Sequence, residues 1–286
     1  MNVLVTGAYG QCGTAIIDHL GDQSEYDFTY LNRSDRPPDH RYGQHDTYVA
    51  DITDYGAIRP AFDDMDAVVH LAAYANTDGD WEDVFGPNIL GMYNVLEAAR
   101  DATVESFVFG STNHVQGMYE ETLKPEIYRP DFPLTIDAND PVRPDSVYGA
   151  TKSFGEDLGR YYVESDDWPR RFYTLRIGTV LPHGYDSPCG PAERRVAAGD
   201  ITRDSHEYQQ LVMRTKATWQ SRCDFAHLVG CCLRDDEVRY GIFYGISDND
   251  RRWFTIQSAR ERVGYRPSDN AELHTDQRND SVDEQG

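Results

Sequence analysis

The chain has 286 residues and a formal net charge of −22, with 49 acidic side chains against 27 lysines and arginines. Such a surface repels phosphate backbones and anionic lipids, so nucleic acid and membranes are excluded as partners. No apolar run approaches the ~18 residues that span a bilayer, and the start MNVLVTGAYG lacks the basic and apolar regions of a secretory signal, which predicts a cytoplasmic protein.

Short apolar runs of strand type alternate with helical patterns through most of the chain. The strand-like runs cover residues 2–6, 27–31, 47–53, 66–73, 105–112, 171–178 and 240–247. Helical patterns include TAIIDHL, GAIRPAF, NILGMYNVLEAARDA and, as one predicted helix, residues 217–234. This alternation predicts an α/β protein with a doubly wound Rossmann fold around a parallel sheet.

A glycine-rich turn follows the first strand and opens a helix. In TGAYGQCG the glycines are Gly7, Gly10 and Gly13. Backbone that approaches a pyrophosphate closely requires glycine, and a helix N-terminus favours the negative charge. The turn therefore predicts a dinucleotide site, with a tight turn that binds no ligand as the alternative.

The end of the second strand distinguishes between two cofactors. An acidic residue there binds the ribose of NAD, whereas arginine accommodates the 2′-phosphate of NADP. The segment LNRSDR places Asn32, Arg33 and Ser34 at this point, followed by Asp35. We predict a preference for NADP, with NAD as the alternative. Asp51 is placed either to hydrogen-bond adenine or to cap the next helix.

Several motifs in a fixed order resemble the extended short-chain dehydrogenase/reductase family. They are GxxGxxG, HLAA (70–73), NILG (88–91), GSTNH (110–114) and YGATK (148–152). Within that family, STNHVQGMY and ATWQSRCDF resemble uronate dehydrogenases, and YGISDNDRRWFTIQSARERVGYRPSDNAE resembles haloarchaeal sugar dehydrogenases of the glucose-6-phosphate dehydrogenase type. The similarity covers nearly the whole chain except residues 182–210 and the C-terminal tail.

Tyr148 and Lys152, spaced i, i+4, share one helix face and are the predicted catalytic pair. A free tyrosine has a pKa near ~10, and the charges of Lys152 and an oxidised nicotinamide would favour its phenolate. The resemblance implies that Tyr148 takes a proton from a sugar hydroxyl while hydride leaves that carbon, and that Lys152 holds the nicotinamide ribose. It places the catalytic hydroxyl on Thr112, with Ser111 as second candidate. A solvated surface pair is the alternative for the tyrosine and lysine.

The resemblance also implies a set of cofactor-binding residues. They are Gly7, Tyr9, Gly10, Gln11, Cys12, Asn32, Arg33, Ser34, Asp51, Ile52, Leu71, Ala72, Ala73, Asn88, Tyr148, Lys152 and Ile177. Within this set, Asn88 matches an asparagine that braces the helix behind the active site.

For the substrate, the resemblance implies contacts from Thr112, Asn113, His114 and Tyr148, and a carboxylate-binding role for Arg214. Ala75 stands where uronate dehydrogenases carry a substrate-binding serine, which weakens the case for a uronate. We therefore predict a sugar 1-dehydrogenase acting on a neutral aldose such as L-arabinose. A uronate or sugar 6-phosphate held by Arg214 and Lys216 is the nearest alternative, and a nucleotide-sugar epimerase or dehydratase is more remote.

Domain organisation and environment complete the predictions. We expect one Rossmann-type domain over residues 1–267, with 1–178 mainly cofactor-binding and 179–267 mainly substrate-binding. Residues 182–210 are predicted to form a long loop with one short helix, and residues 268–286 a disordered polar tail. Helices 88–102 and 153–165 correspond to those that commonly pair subunits in the family, so a homodimer or higher homo-oligomer is expected.

Five cysteines without a CxxC pair predict no metal site. Basic charge is almost all arginine, with three lysines, a balance that resembles proteins of salt-accumulating organisms.

Overall fold

The computed structural model describes residues 1–165 and 168–274, and at its centre lies a sheet of seven strands. In chain order the strands are Asn2–Thr6 (β1), Asp27–Asn32 (β2), Thr47–Val49 (β3), Ala67–His70 (β4), Ser106–Thr112 (β5), Arg171–Ile177 (β6) and Tyr240–Gly245 (β7). Their spatial order is β3-β2-β1-β4-β5-β6-β7, and all neighbours are parallel. The predicted Rossmann fold and its seven strands are confirmed. β3 and β4 are shorter than predicted because the chain turns into the loops that line the site.

Helices cover both faces of this sheet. They are Gln11–Leu20 (α1), Tyr55–Ile58 (α2), Trp81–Val84 (α3), Gly91–Asp101 (α4), Met118–Leu123 (α5), Val147–Ser165 (α6), Gly190–Ala197 (α7), His206–Thr218 (α8), Arg222–Arg234 (α9) and Gln257–Arg262 (α10). A π-helical turn, Phe85–Leu90, leads into α4. Central strands such as β5 are buried throughout, as expected for a parallel sheet covered on both faces.

The single helix predicted for residues 217–234 is wrong. α8 ends at Thr218, and α9 begins after Ser221, whose hydroxyl accepts a hydrogen bond from the Asp224 backbone N–H at 3.0 Å. This N-cap starts a new helix because it satisfies a first-turn donor. Residues 182–210, predicted as a loop with one short helix, contain α7 and the first turn of α8.

The predicted tail begins too early. Residues 268–274 pack on the domain: the Ser268 N–H donates to Asp224 at 2.8 Å, and the Ala271 N–H donates to Asn249 at 2.9 Å. Ala271 is only 1% exposed. These buried acceptors hold a segment that composition alone marks as polar. Residues 275–286 lie outside the described residues, and the division at residue 178 stays a prediction.

Membrane-spanning helices and metal clusters are both absent from residues 1–165 and 168–274. None of their helices is both long and apolar enough to cross a bilayer. Within the same ranges, no group of three histidine, cysteine, aspartate or glutamate side chains is placed to hold a metal ion.

Strand order reverses between β2 and β4, which flank β1 on opposite sides. In open parallel sheets, the crevice outside the carboxyl ends of the strands at such a point is where ligands bind. The loops after β1, β2 and β4 meet there, and they carry most of the predicted site residues.

Candidate active site

A cavity of about 760 Å³ opens at the point where the strand order reverses. Its lining includes Gly7, Gly10, Gln11, Cys12, Gly13, Asn32, Arg33, Asp51, Ile52, Leu71, Ala72, Ala73 and Ala75. Most of the predicted cofactor-binding residues are thus brought together in one cleft, from four separate loops. We call it the dinucleotide cleft.

The three glycines of the first loop have distinct physical roles. Gly7 has a φ of +71°, and a Cβ added there would lie 2.6 Å from the backbone nitrogen of Ala72. A Cβ on Gly13 would lie 2.3 Å from the carbonyl oxygen of Ala8. At Gly10 the nearest atom to an added Cβ is 3.4 Å away, so this position keeps open space for a ligand. A tight turn, an open approach and close helix packing are what a pyrophosphate loop requires.

The N-terminus of α1 supports the same ligand. Its N-cap residue is Gly10, and no described side chain caps its first turn. First-turn N–H groups have no partner within the helix, and together with the helix dipole they favour an anion. The residues of this cleft therefore fit a dinucleotide.

The adenosine end of the cleft carries an arginine and a carboxylate. Arg33 lines it, and the Asn32 side chain donates to the Ser34 carbonyl at 2.9 Å, which fixes the turn. Asp35 instead accepts a hydrogen bond from Thr47 at 2.8 Å. The Asp51 carboxylate accepts from the Thr53 N–H and hydroxyl, and these hydrogen bonds hold its pKa below its usual range.

Among the predicted cofactor residues, Tyr9, Ser34 and Asn88 have side chains that are engaged elsewhere and do not line the cleft. The Tyr9 ring belongs to the hydrophobic core, with its hydroxyl bonded to Thr47. Ser34 contributes its carbonyl to the turn. The buried Asn88 amide is committed to both backbone groups of Tyr74 and to the Thr151 hydroxyl, at 2.8 to 3.0 Å. Asn88 thus braces the loop after β4 against α6, and its prediction as a cofactor contact is corrected to a positioning role.

A smaller cavity of about 220 Å³ adjoins the dinucleotide cleft and shares Gln11, Cys12, Leu71, Ala73 and Ala75 with it. Its further lining residues include Ser111, Thr112, Asn113, His114, Tyr148, Lys152, Ile177 and Arg214, with Gly178, Thr179 and Val180, which the sequence did not single out. We call it the sugar pocket. The end of β5, the start of α6 and the middle of α8 converge on it.

Tyr148 and Lys152 are both buried on α6, so the surface-pair alternative is wrong. The Lys152 Nζ lies 6.0 Å from the centroid of the Tyr148 ring and donates to the Gly110 carbonyl at 2.7 Å. Burial lowers the pKa of Lys152 to about 8.

The electrostatics of Tyr148 differ from the prediction. Burial raises its pKa above 10, against a smaller lowering by the hydrogen bond with Thr112. Lys152 by itself therefore does not bring the phenol near neutral pH, because desolvation opposes the phenolate. An oxidised nicotinamide bound nearby would add a positive charge that favours the phenolate.

The structure separates the two candidate hydroxyls. The Thr112 side chain lines the sugar pocket together with Tyr148 and accepts from the His114 N–H at 3.2 Å. The Ser111 hydroxyl instead donates to Glu156 at 2.6 Å, and Glu156 forms a buried ion pair with Arg176 at 2.7 Å. The Ser111 hydroxyl is thus engaged in a structural network, Thr112 is the stronger candidate for the catalytic hydroxyl, and the catalytic role of either stays a prediction.

His114 is positioned by a residue that the sequence did not reveal. Its Nδ1 lies 2.7 Å from the Asp145 carboxylate, which also accepts from Ser146. Burial favours the neutral acid, but the hydrogen bond and charge of His114, together with hydrogen bonds from Ser146 and the backbone, lower the pKa of Asp145. With Nδ1 held by Asp145, Nε2 of the imidazole is the nitrogen left to meet a ligand.

Arg214 reaches the sugar pocket but already has a carboxylate partner. Its Nε donates to Oε1 of Glu120 at 2.6 Å and its Nη2 to Oε2 at 3.3 Å. Lys216, the other predicted anion-binding residue, donates to Glu272 at 3.0 Å and does not line the pocket.

Asp145 and Glu120 carried no signal in the sequence. Asp145 lies 31 residues from His114, and Glu120 lies 94 residues from Arg214. Each stands in a polar segment where a carboxylate is unremarkable by composition. Only the fold brings them into contact with His114 and Arg214.

Comparison with known proteins agrees with this geometry. The model of the NAD dependent epimerase/dehydratase family matches residues 3–216. An NAD-dependent glucose-6-phosphate dehydrogenase of Haloferax volcanii is 38% identical over 94% of each chain. An L-arabinose 1-dehydrogenase (NAD(P)(+)) of the same species is 34% identical over 94% of this chain and 97% of its own.

A solved structure extends the comparison to the fold. A mutant uronate dehydrogenase from Agrobacterium tumefaciens, complexed with NAD, matches with a TM-score of 0.71 and 26% identity, covering 95% of this chain and 86% of its own. The family model covers most of the chain, and relatives above 30% identity align with nearly all of it. The chain therefore belongs to the NAD dependent epimerase/dehydratase family, and its close relatives are the haloarchaeal sugar dehydrogenases and uronate dehydrogenases that its motifs predicted.

Proposed function

We propose that the protein is an NAD(P)-dependent sugar 1-dehydrogenase that oxidises the anomeric carbon of a cyclic aldose to a lactone. The observation that carries this proposal is the convergence of Thr112, Tyr148 and Lys152 where the sugar pocket joins the dinucleotide cleft. The names of the relatives support the same reaction class.

The residues of the pocket divide the chemistry between them. A bound dinucleotide would accept the hydride that leaves the anomeric carbon. Tyr148 Oη takes the proton of the anomeric hydroxyl, and Thr112 Oγ1 donates a hydrogen bond to the same oxygen. Lys152, held by the Gly110 carbonyl, would bind the nicotinamide ribose of the cofactor. Asn113 and His114 orient the remaining sugar hydroxyls.

For the cofactor we propose a preference for NADP over NAD. Arg33 lines the cleft directly after β2, and the nearest acidic alternative, Asp35, is engaged with Thr47. An arginine at this point pairs with a 2′-phosphate, whereas NAD sites place a carboxylate there.

For the substrate we propose a neutral aldose such as L-arabinose. Ala75 offers no hydroxyl to the pocket, Lys216 is bonded to Glu272, and the charge of Arg214 is balanced by Glu120. A sugar 6-phosphate is the second candidate. It is favoured by the edge of Arg214 that lines the pocket and by the 38% identity to a glucose-6-phosphate dehydrogenase.

We also propose a homodimer paired through α4, α6 and their neighbours. Large apolar side chains lie exposed on these helices and on the adjoining α3 and π-helical turn: Trp81, Phe85, Leu90, Tyr93, Phe154 and Tyr161. An apolar surface of this kind is typical of an interface. Light scattering in high salt should then give about twice the 32.5 kDa of one chain.

The test of the reaction is its stoichiometry. Purified protein in high salt is given NADP or NAD with L-arabinose, other neutral aldoses, galacturonate, glucuronate and glucose 6-phosphate. We expect one reduced cofactor per lactone, trapped with hydroxylamine, for a neutral aldose and NADP. A sugar epimerised without net reduction would favour the epimerase alternative instead.

A further inference from the structure

The guanidinium of Arg214 is held along one edge by a buried carboxylate. Glu120 on α5 accepts from Nε and Nη2 of Arg214, and the Tyr128 hydroxyl donates to the same carboxylate at 2.8 Å. The Glu120 side chain is 6% exposed and that of Arg214 is 30% exposed. Nη1 of Arg214 makes no hydrogen bond to any described residue, so this corner of the guanidinium is the donor left for a ligand in the sugar pocket.

Carboxylates offset the positive charge of the guanidinium at this corner. Burial disfavours the charged guanidinium, but attraction to Glu120 and, more weakly, to Asp145 outweighs it and raises the pKa of Arg214. Two carboxylates therefore act on the one cation that the sugar end of the pocket offers. The other cation lining the pocket, Lys152, is bonded to the Gly110 carbonyl at the catalytic end.

We propose that Glu120 is the positioning residue that sets the charge preference of the sugar pocket. Glu120 fixes Arg214 through one edge and balances its charge. It thereby leaves Nη1 as a directed hydrogen-bond donor for a sugar hydroxyl, and it weakens the binding of a carboxylate or phosphate. This inference rests on the proposed function, because it assumes that the pocket holds a sugar. It implies that the arginine alone does not identify the substrate.

The test compares Glu120→Gln with the wild-type enzyme in the same high salt. The kcat and KM are measured with L-arabinose, D-galacturonate and glucose 6-phosphate. Glutamine keeps the size of the side chain and removes its charge, so the ratio of kcat/KM for an anionic sugar to that for L-arabinose should rise roughly tenfold. The gain should come from a lower KM for the anion, because uniform binding changes KM and leaves kcat.

Glu121→Gln is the matched control. Glu121 is the next residue on α5, and its side chain is 44% exposed and paired with Lys124, outside the pocket. This variant should leave the ratio unchanged. A purely structural loss in Glu120→Gln would lower kcat/KM for all three sugars alike, and an unchanged ratio in the folded, active variant overturns the proposal.

Two further outcomes are decisive. Should Glu120→Gln fail to fold, Glu120→Asp shortens the side chain and loosens its contact with Arg214, and a smaller rise in the same ratio supports the proposal whereas no rise overturns it. If the wild-type enzyme reduces neither cofactor with any sugar, the proposed function itself fails, and the role of Glu120 in sugar selection falls with it.

Discussion

The hydroxyl of Ser111 donates a 2.6 Å hydrogen bond to Glu156, whereas the hydroxyl of its neighbour Thr112 accepts from the His114 N–H at 3.2 Å in the sugar pocket that Tyr148 also lines. Adjacent residues of an extended strand point to opposite faces of the sheet, and with Ser111 bonded to Glu156 we expect the Thr112 hydroxyl to serve the reacting oxygen. Glu156 is in turn paired with Arg176 in the core.

The contrast between Ser111 and Thr112 gives the first prediction. Thr112→Ala should lower kcat by about 10²–10³-fold, because a donor to the developing charge is lost. Ser111→Ala should keep kcat within a few-fold and instead reduce the free energy of unfolding by about 1–2 kcal/mol, since a buried carboxylate loses a donor. Steady-state kinetics and urea unfolding of both variants test the assignment, and the reverse pattern would return Ser111 to the catalytic role.

The second prediction concerns Arg33 and the choice of cofactor. Arg33→Ala should raise the KM for NADP by roughly 10–100-fold, the value of a lost charged hydrogen bond, and leave the KM for NAD nearly unchanged. Arg59→Ala, which removes an arginine paired with Asp63 on the surface, is the control and should affect neither. Equal effects of Arg33→Ala on both cofactors would show that Arg33 does not contact the 2′-phosphate.

The third prediction concerns pH and stability. His70 is buried beside Thr6, and burial lowers its pKa from 6.5 to about 3. Between these values the unfolded chain binds a proton that the folded chain does not, so stability falls as the pH drops from about 6.5 towards 3. His70→Asn should remove about 1.4 kcal/mol per pH unit from that slope. Urea unfolding at constant salt between these pH values checks it, and identical slopes for the two proteins would refute a neutral buried histidine.

The fourth prediction concerns salt. At a net charge of −22 the folded chain repels itself, and salt shortens the range of that repulsion from ~30 Å at 0.01 M to ~3 Å at 1 M. The midpoint of thermal unfolding should therefore fall as salt is removed, with loss of activity on dialysis. Glycerol, which adds no ions, should restore little of the lost activity or of the unfolding midpoint. Full stability in low salt would contradict the adaptation to salt that the composition indicates.

The sequence predicted the sheet well because the apolar runs are short, regularly spaced and separated by helical patterns. It also predicted the glycine loop, since Gly7 and Gly13 occupy positions that a Cβ would block. These are local constraints. The helix boundary at Ser221 was missed because one N-cap outweighed a continuous helical pattern.

Within the site, the residue types were predicted better than their partners. The Tyr148–Lys152 spacing placed both residues on one helix face, but the raised pKa of Tyr148 depends on burial, which the sequence does not show. Likewise, the role of Arg214 changes with Glu120, 94 residues away. Long-range contacts of this kind leave no periodicity or composition signal in a single chain.

The central claim is that Tyr148 is the base in sugar oxidation. Its most direct test measures, in high salt, both cofactor affinity by NADPH fluorescence and reduction at 340 nm with L-arabinose, for the wild-type protein and Tyr148→Phe. We predict that the variant binds NADPH with unchanged affinity while kcat falls at least about 10²-fold, the contribution of a positioned acid–base group. Turnover by Tyr148→Phe close to that of the wild type would contradict the account.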